Sequence, residues 1–219
     1  MKPSDNSSDP FDIPAEEVQV SHVVVNSRFI ARLAPVFDTD EARAYIDGVR
    51  RKFPDASHHV PAFIIGGGKS TAEYCSDDGE PSGTAGKPVL TVLRGSSLGN
   101  AVLVVSRYFG GTLLGKGGLV KAYTESAQLA VRLVNRARKK HFLIAEMVLP
   151  YNQFDQMRAL IASQNGKIES EEFTEVVRLV VMIPGERFAS FEASIRELSA
   201  GKISPIVISS ADILVPMDR

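Results

Sequence analysis

The chain has 219 residues, 44% of them hydrophobic and 23% charged, with a formal net charge of −1. That balance accommodates one large or two modest globular domains without staples and excludes a polycation. Cys75 is the only cysteine, which excludes an intrachain disulfide and, with no Cys/His cluster, a zinc site.

Residues 1–14 open as MKPSDNSSDPFD, polar and rich in Ser, Asp and Pro. They read as a disordered tail without the apolar segment of a signal peptide. No stretch reaches the roughly 18 apolar residues of a membrane helix. A cytoplasmic protein with no membrane partner is the expectation, and neither a cofactor nor a metal is called for.

A first domain is expected over residues 15–140. Residues 18–26 are rich in β-branched side chains, and a second strand follows over about 27–37. Asp38 and Glu41 have capping-box spacing ahead of a helix. Ala42, Tyr45, Ile46, Val49 and Phe53 give it an apolar face before Pro54 stops it. Residues 59–65 read as a buried strand. The span 66–86, dominated by Gly, Ser, Asp and Pro, reads as a long loop, functional or mobile. A short helix over about 88–93 and an apolar strand over 101–108 come next. A long helix is expected over 119–138, with Arg132, Arg136, Arg138, Lys139 and Lys140 crowding its end. Those cations either complement the helix C-terminus or form a phosphate-binding stripe in which Arg132, Arg136, Lys139 and Lys140 would contact nucleic acid.

Residues 141–219 have a different grammar: strand, helix, two strands near 167–173 and 176–183, a helix bearing Phe188, Phe191, Ile195 and Leu198, and a last strand near 203–215. This βαββαβ order is the ferredoxin-like arrangement. The charge balance shifts with it, from 18 Lys and Arg against 15 Asp and Glu through residue 140 to 7 against 11 afterwards. Any nucleic-acid surface therefore belongs more naturally to the first domain.

Two segments could carry chemistry. In Ser76–Gly86, Asp77, Asp78 and Glu80 crowd together, with the hydroxyls of Ser82 and Thr84 close behind. Crowded carboxylates need a proton, a cation or backbone N–H donors; the alternative is an acidic turn bonded to its own backbone. In Ser106–Gly118, a strand ends, glycines follow and a helix begins. Gly110, Gly111, Gly117 and Gly118 would let a ligand approach the backbone, Arg107 would clamp an anion, and Lys116 adds a charge. The glycines do not match a dinucleotide fingerprint, and the run Gly66–Thr71 imitates a P-loop without its first glycine, since position 63 is Phe63. His58 is a candidate general base or anchor for the acidic loop. His22 and His141 have no supporting context.

The runs Ser76–Gly86 and Val104–Gly118, with the opening Ser27-Arg28-Phe29-Ile30-Ala31, resemble the YigZ/IMPACT family across about residues 18–135. The second domain is similar to the C-terminal domain of the family's bacterial branch. The resemblance implies an α+β protein whose first domain has the βαβ fold of ribosomal proteins and of elongation factor G domain IV, followed by a smaller ferredoxin-like domain. It further implies binding to RNA, the ribosome or a translation-regulatory protein, with no established catalytic activity. The eukaryotic members regulate translation by competing for an activator of a stress-responsive kinase. His58, Asp77, Asp78, Glu80, Ser82, Thr84, Arg107, Gly110, Gly111 and Lys116 match the family's motifs, whereas Ile64 stands where an Arg is common. Two other expectations are weighed from the residues: a hydrolase, or an enzyme of a phosphate-bearing ligand, working through the acidic loop, His58 and Arg107; and a protein-interaction regulator without a small-molecule site, in which both loops are merely structural.

Overall fold

The computed structural model describes residues 11–67 and 70–217. Among them the chain divides into two compact units. The first runs through Arg138 and takes in 215–217, and the second comprises Lys139–Leu214.

The first unit is built on a five-stranded antiparallel sheet in the order β2-β3-β6-β4-β5. Its strands are β2 (Val18–Val24), β3 (Ser27–Pro35), β4 (His58–Gly67), β5 (Ser70–Cys75) and β6 (Ala101–Tyr108). Strands β2 and β3 join through Val25 and Asn26, both at positive φ, the backbone that a two-residue hairpin requires. Helix α1 (Thr39–Lys52) starts as its spacing predicts: Asp38 Oδ1 accepts from the N–H groups of Asp40 and Glu41. Helices α2 (Gly86–Gly95) and α3 (Gly115–Leu133) lie over the opposite sheet face from α1.

Strand β6 is apolar throughout because both of its faces are covered. Val102 and Val104 join Ile46, Val49 and Phe63 in the core beside α1. Leu103 and Val105 join Phe29, Leu93, Leu119 and Tyr123 in the core beneath α2 and α3. Side chains alternate across a strand, so this one strand anchors two hydrophobic layers.

The second unit follows the expected order. It contains β7 (Arg136–Leu149, from Lys139 onward), a 3₁₀ turn at Tyr151–Gln153, α4 (Phe154–Ser163), β8 (Lys167–Phe173), β9 (Val177–Pro184), α5 (Gly185–Leu198) and β10 (Ile206–Pro216). Its sheet runs β10-β7-β9-β8, the strand order of a ferredoxin-like unit. Met147, Leu149, Met157, Ile161, Leu179, Phe191 and Ile195 form its core.

Three sequence expectations are corrected. The span 66–86 is not one loop, because Ser70–Cys75 pairs with β4 in a hairpin. Its Thr, Ala and Tyr residues supply a strand that the surrounding glycines and acids obscure, and a strand here rules out the helix a P-loop needs. The long helix ends at Leu133 rather than 138, since Arg136 and Ala137 pair with β1 (Ile13–Pro14). The tail expectation fails at its end. Ile13 is fully buried, and Asp12 pairs with both Arg136 and Arg138; residues 1–10 lie outside the described residues. Burial opposes ionisation of Asp12, but the two guanidinium groups hold its carboxyl below the usual range. A polar composition thus concealed one apolar anchor and one ion-pair hub.

Replacing Ile13 with alanine is expected to cost about 2–5 kcal/mol of stability. Urea unfolding followed by circular dichroism checks this; an unchanged midpoint would mean the segment contributes nothing to the fold.

Candidate functional site

The acidic loop folds by satisfying its own carboxylates. Asp77 Oδ1 accepts from the N–H groups of Ala85 (3.1 Å) and Gly86 (2.8 Å), and Oδ2 accepts from that of Gly83 (2.8 Å). Asp77 therefore caps α2 from outside the helix, at a start where no other side chain does so. Desolvation raises its pKa, but the three N–H donors outweigh it and hold the carboxyl below its usual value. Gly86 permits the approach: a Cβ there would lie 2.7 Å from the Ser76 carbonyl.

Asp78 stands at φ 47° and faces the other way. Its Oδ2 accepts from the His59 N–H and its Oδ1 from Arg50, both at 2.6 Å. Its carbonyl oxygen meets His58 Nδ1 at 2.8 Å. A carbonyl only accepts, so Nδ1 carries the proton in the neutral ring and Nε2 is left as an acceptor. His58 Nε2 lies 3.9 Å from Glu80 Oε1.

Glu80 closes the arrangement. It is 7% exposed, and its Oε1 accepts from Arg107 Nη1 at 2.8 Å and from the Tyr123 hydroxyl at 2.7 Å. Arg107 is 5% exposed; its Nη2 donates to Ser27 Oγ at 3.2 Å, and its Cζ lies 5.5 Å from the ring centres of Phe29 and Phe109. Ser27 Oγ also accepts from the Gly110 N–H. A Cβ on Gly110 would come within 2.5 Å of the Ser27 nitrogen, so this glycine is fixed by packing against the β2–β3 turn. Burial, followed by the neighbouring Glu80 charge, pushes the Tyr123 hydroxyl well above its ordinary pKa and keeps it a donor.

The two sequence-predicted segments thus meet. The anion that Arg107 meets is Glu80, however, and not one left open for a guest. Thr84 donates to the Pro81 carbonyl at 2.6 Å and serves the turn. Ser82, Gly111, Lys116 and Gly117 are exposed, with Gly111 and Gly115 in the left-handed region that bends the chain into α3; Gly118 follows in the first turn of the helix. Phe109 and Leu113, 48% and 86% exposed, project from the same loop.

The expected cationic stripe is dispersed. Arg136 is bound to Asp12 and Lys139 to Asp212, while Lys140 is exposed on β7. Arg132 alone of the four remains on α3, exposed and without an ion-pair partner among the described residues. Sequence reasoning missed Ser27, Arg50 and Tyr123. Only the Ser27–Ala31 opening carried a signal, because partners 80 and 43 positions away leave no spacing to read.

A five-stranded antiparallel sheet flanked by helices, joined to a ferredoxin-like unit and carrying a buried Arg–Glu–Tyr knot, defines a two-domain α+β protein. The Impact N-terminal domain matches residues 25–131, and a domain of unknown function (DUF1949) matches residues 147–202. The chain is 39% identical over 197 residues to IMPACT family member YigZ of Escherichia coli, covering 90% of this chain and 97% of that one. It is 34% identical to an IMPACT family member of Haemophilus influenzae, over 87% of this chain and 93% of that one. The crystal structure of a hypothetical protein, 38% identical, matches 91% of this chain and 97% of its own with a TM-score of 0.60. The chain belongs to the IMPACT family.

Two outcomes follow from this geometry. Removing one partner of the knot, by Glu80→Gln or Arg107→Ala, leaves the other charge buried and is expected to cost about 3–5 kcal/mol. A double-mutant cycle by chemical unfolding should show strong coupling, and additive losses would contradict the pairing. The depressed Asp77 pKa favours the folded state above the ordinary aspartate value near 3.9, and this contribution disappears as pH falls through the folded pKa. Asp77→Asn is expected to lower stability at neutral pH and to flatten the loss below about pH 4, as read from melting temperatures across an acid series.

Proposed function

We propose that this protein is a binding protein of the translation apparatus that engages RNA, on the ribosome or free, through the loop between β6 and α3. The observation that carries this reading is the exposure of Phe109 and Leu113 on a loop locked at Gly110 and followed by the exposed Lys116. The Arg107 Cζ lies 5.5 Å from the centre of the Phe109 ring, and that of Arg28 lies 4.3 Å from the centre of the Tyr108 ring. A rigid aromatic platform beside cations suits unstacked bases and the phosphates that link them. Lys116 and the backbone of Gly117 and Gly118 would meet the phosphate-bearing part of such a guest.

Family membership supports the same reading through the translation role that the resemblance implies, including a translation-regulatory protein among its partners. A cytoplasmic location accords with that role. An enzymatic role for His58, Asp77, Asp78 and Glu80 has less support, because hydrogen bonds that hold the fold already occupy the carboxylates and Arg107.

Ribosome co-sedimentation and anisotropy with labelled single-stranded RNA test the proposal. Binding should be modest and should weaken with salt, with a slope set by one or two phosphate contacts. Phe109→Ala should lower affinity by about 1–3 kcal/mol, and Lys116→Ala should reduce the salt slope by about one. Undetectable binding to RNA and to ribosomes at low salt would overturn the reading.

A further inference from the structure

A groove of about 230 Å³ lies between β2 and α3, away from the loops above. His22 of β2 forms one wall, and Glu125, Gln128, Leu129 and Arg132 of α3 form the other. The α3 residues follow helical i, i+3, i+4 and i+7 spacing, so they make one stripe about 10 Å long at 1.5 Å per residue. The His22 ring is held by stacking on Phe29, with ring centres 5.7 Å apart.

The lining is chemically unfinished. Among the described residues His22 Nε2 is buried with no hydrogen-bond partner, an arrangement that costs on the order of 1–3 kcal/mol. Burial lowers the His22 pKa against the opposing pull of Glu125, so the neutral ring offers one donor and one acceptor. Among the described residues, the one ion pair of Glu125 is a long 3.8 Å contact with Lys121. Arg132 has no ion-pair partner among the described residues, unlike Arg136 and Lys139.

We infer that this groove holds a single nucleotide of a bound RNA strand, with an amino-bearing base read by Glu125 and Gln128 and a phosphate held by Arg132. The inference rests on the RNA-binding reading and adds base preference to it. The volume lies just below the usual range of small-molecule pockets, ~300–1,000 Å³, which suits one ring and not a dinucleotide cofactor. A carboxylate accepts from an exocyclic amino group such as that of cytosine, and an amide pairs with adenine. Uracil has no amino group, and its one base-edge donor, N3–H, is flanked by two carbonyl oxygens that a carboxylate repels. Leu129 supplies apolar contact for a ring, and the guanidinium of Arg132 is suited to a phosphate oxygen pair.

The test is anisotropy with short labelled oligoadenylate, oligocytidylate and oligouridylate on the full chain. Oligoadenylate and oligocytidylate are expected to bind about tenfold more tightly than oligouridylate. Glu125→Gln should remove most of that preference while sparing oligouridylate affinity. Arg132→Ala should weaken all three alike and lower the salt slope by about one. Arg132 is exposed and Glu125 half-buried, and unchanged melting temperatures would confirm folding. If Phe109→Ala weakens binding while the groove variants retain wild-type affinity and preference, the groove assignment is wrong and the platform reading stands. Equal affinity for the three oligomers in the wild type also overturns the groove, and no binding to any of them overturns both.

Discussion

The Arg107–Glu80 pair is the constraint on which the first unit is organised. It joins the end of β6 to the acidic loop, and through Tyr123 and Ser27 it reaches α3 and the start of β3. Burying two charges has a high desolvation cost, and such a pair persists only where further hydrogen bonds complete it. Here the Tyr123 hydroxyl adds a donor to the carboxylate and Ser27 accepts from the guanidinium, whose Nε is buried without a hydrogen-bond partner among the described residues. The pair therefore selects one arrangement of two segments that would otherwise have many.

That selection explains the neighbouring chemistry. With Glu80 drawn inward, the loop must turn sharply, and Asp78 adopts positive φ while its carboxylate takes the His59 N–H and Arg50. Asp77 is left facing the start of α2, where three N–H groups need an acceptor. The crowding of carboxylates that resembles a metal site is resolved by sending each to a different donor set. Phe109 follows from the same geometry. Arg107 turns into the core, the next-but-one residue is carried past the end of the sheet, and Gly110 then presses its backbone against the β2–β3 turn.

Much of this fold was legible because its signals are periodic. The apolar run of β6, the Asp38–Glu41 cap and the βαββαβ order of the second unit each follow from local spacing. The misses share a different cause. Strand β5 is short and flanked by glycines and acids, so only its pairing with β4 identifies it. The end of α3 and the order of Phe11–Pro14 depend on each other, since Arg136 leaves helical geometry to pair with Pro14. Neither segment alone carries that information. In the site, the motif residues were visible as types, but their roles were not. An arginine beside glycines reads as an anion clamp until its internal carboxylate, 27 positions earlier, is seen.

The same distinction applies to charge. Counting cations through residue 140 implies a basic surface, yet Arg32, Arg50, Arg94, Arg107, Arg136 and Arg138 are each paired with a carboxylate of the first unit. A paired cation contributes little to a long-range field, so bulk electrostatics gives this unit only weak attraction for a polyanion. On the proposed reading, RNA would then be recognised by a few unpaired positions set beside surfaces that accept rings. Lys116 near Phe109 and Arg132 near Leu129 have that combination, and they lie on two different parts of α3. A helix whose inward face belongs to the core through Ala122, Tyr123 and Ala127 can hold both positions at a fixed separation, which is what a single strand of repeating nucleotides requires of its reader.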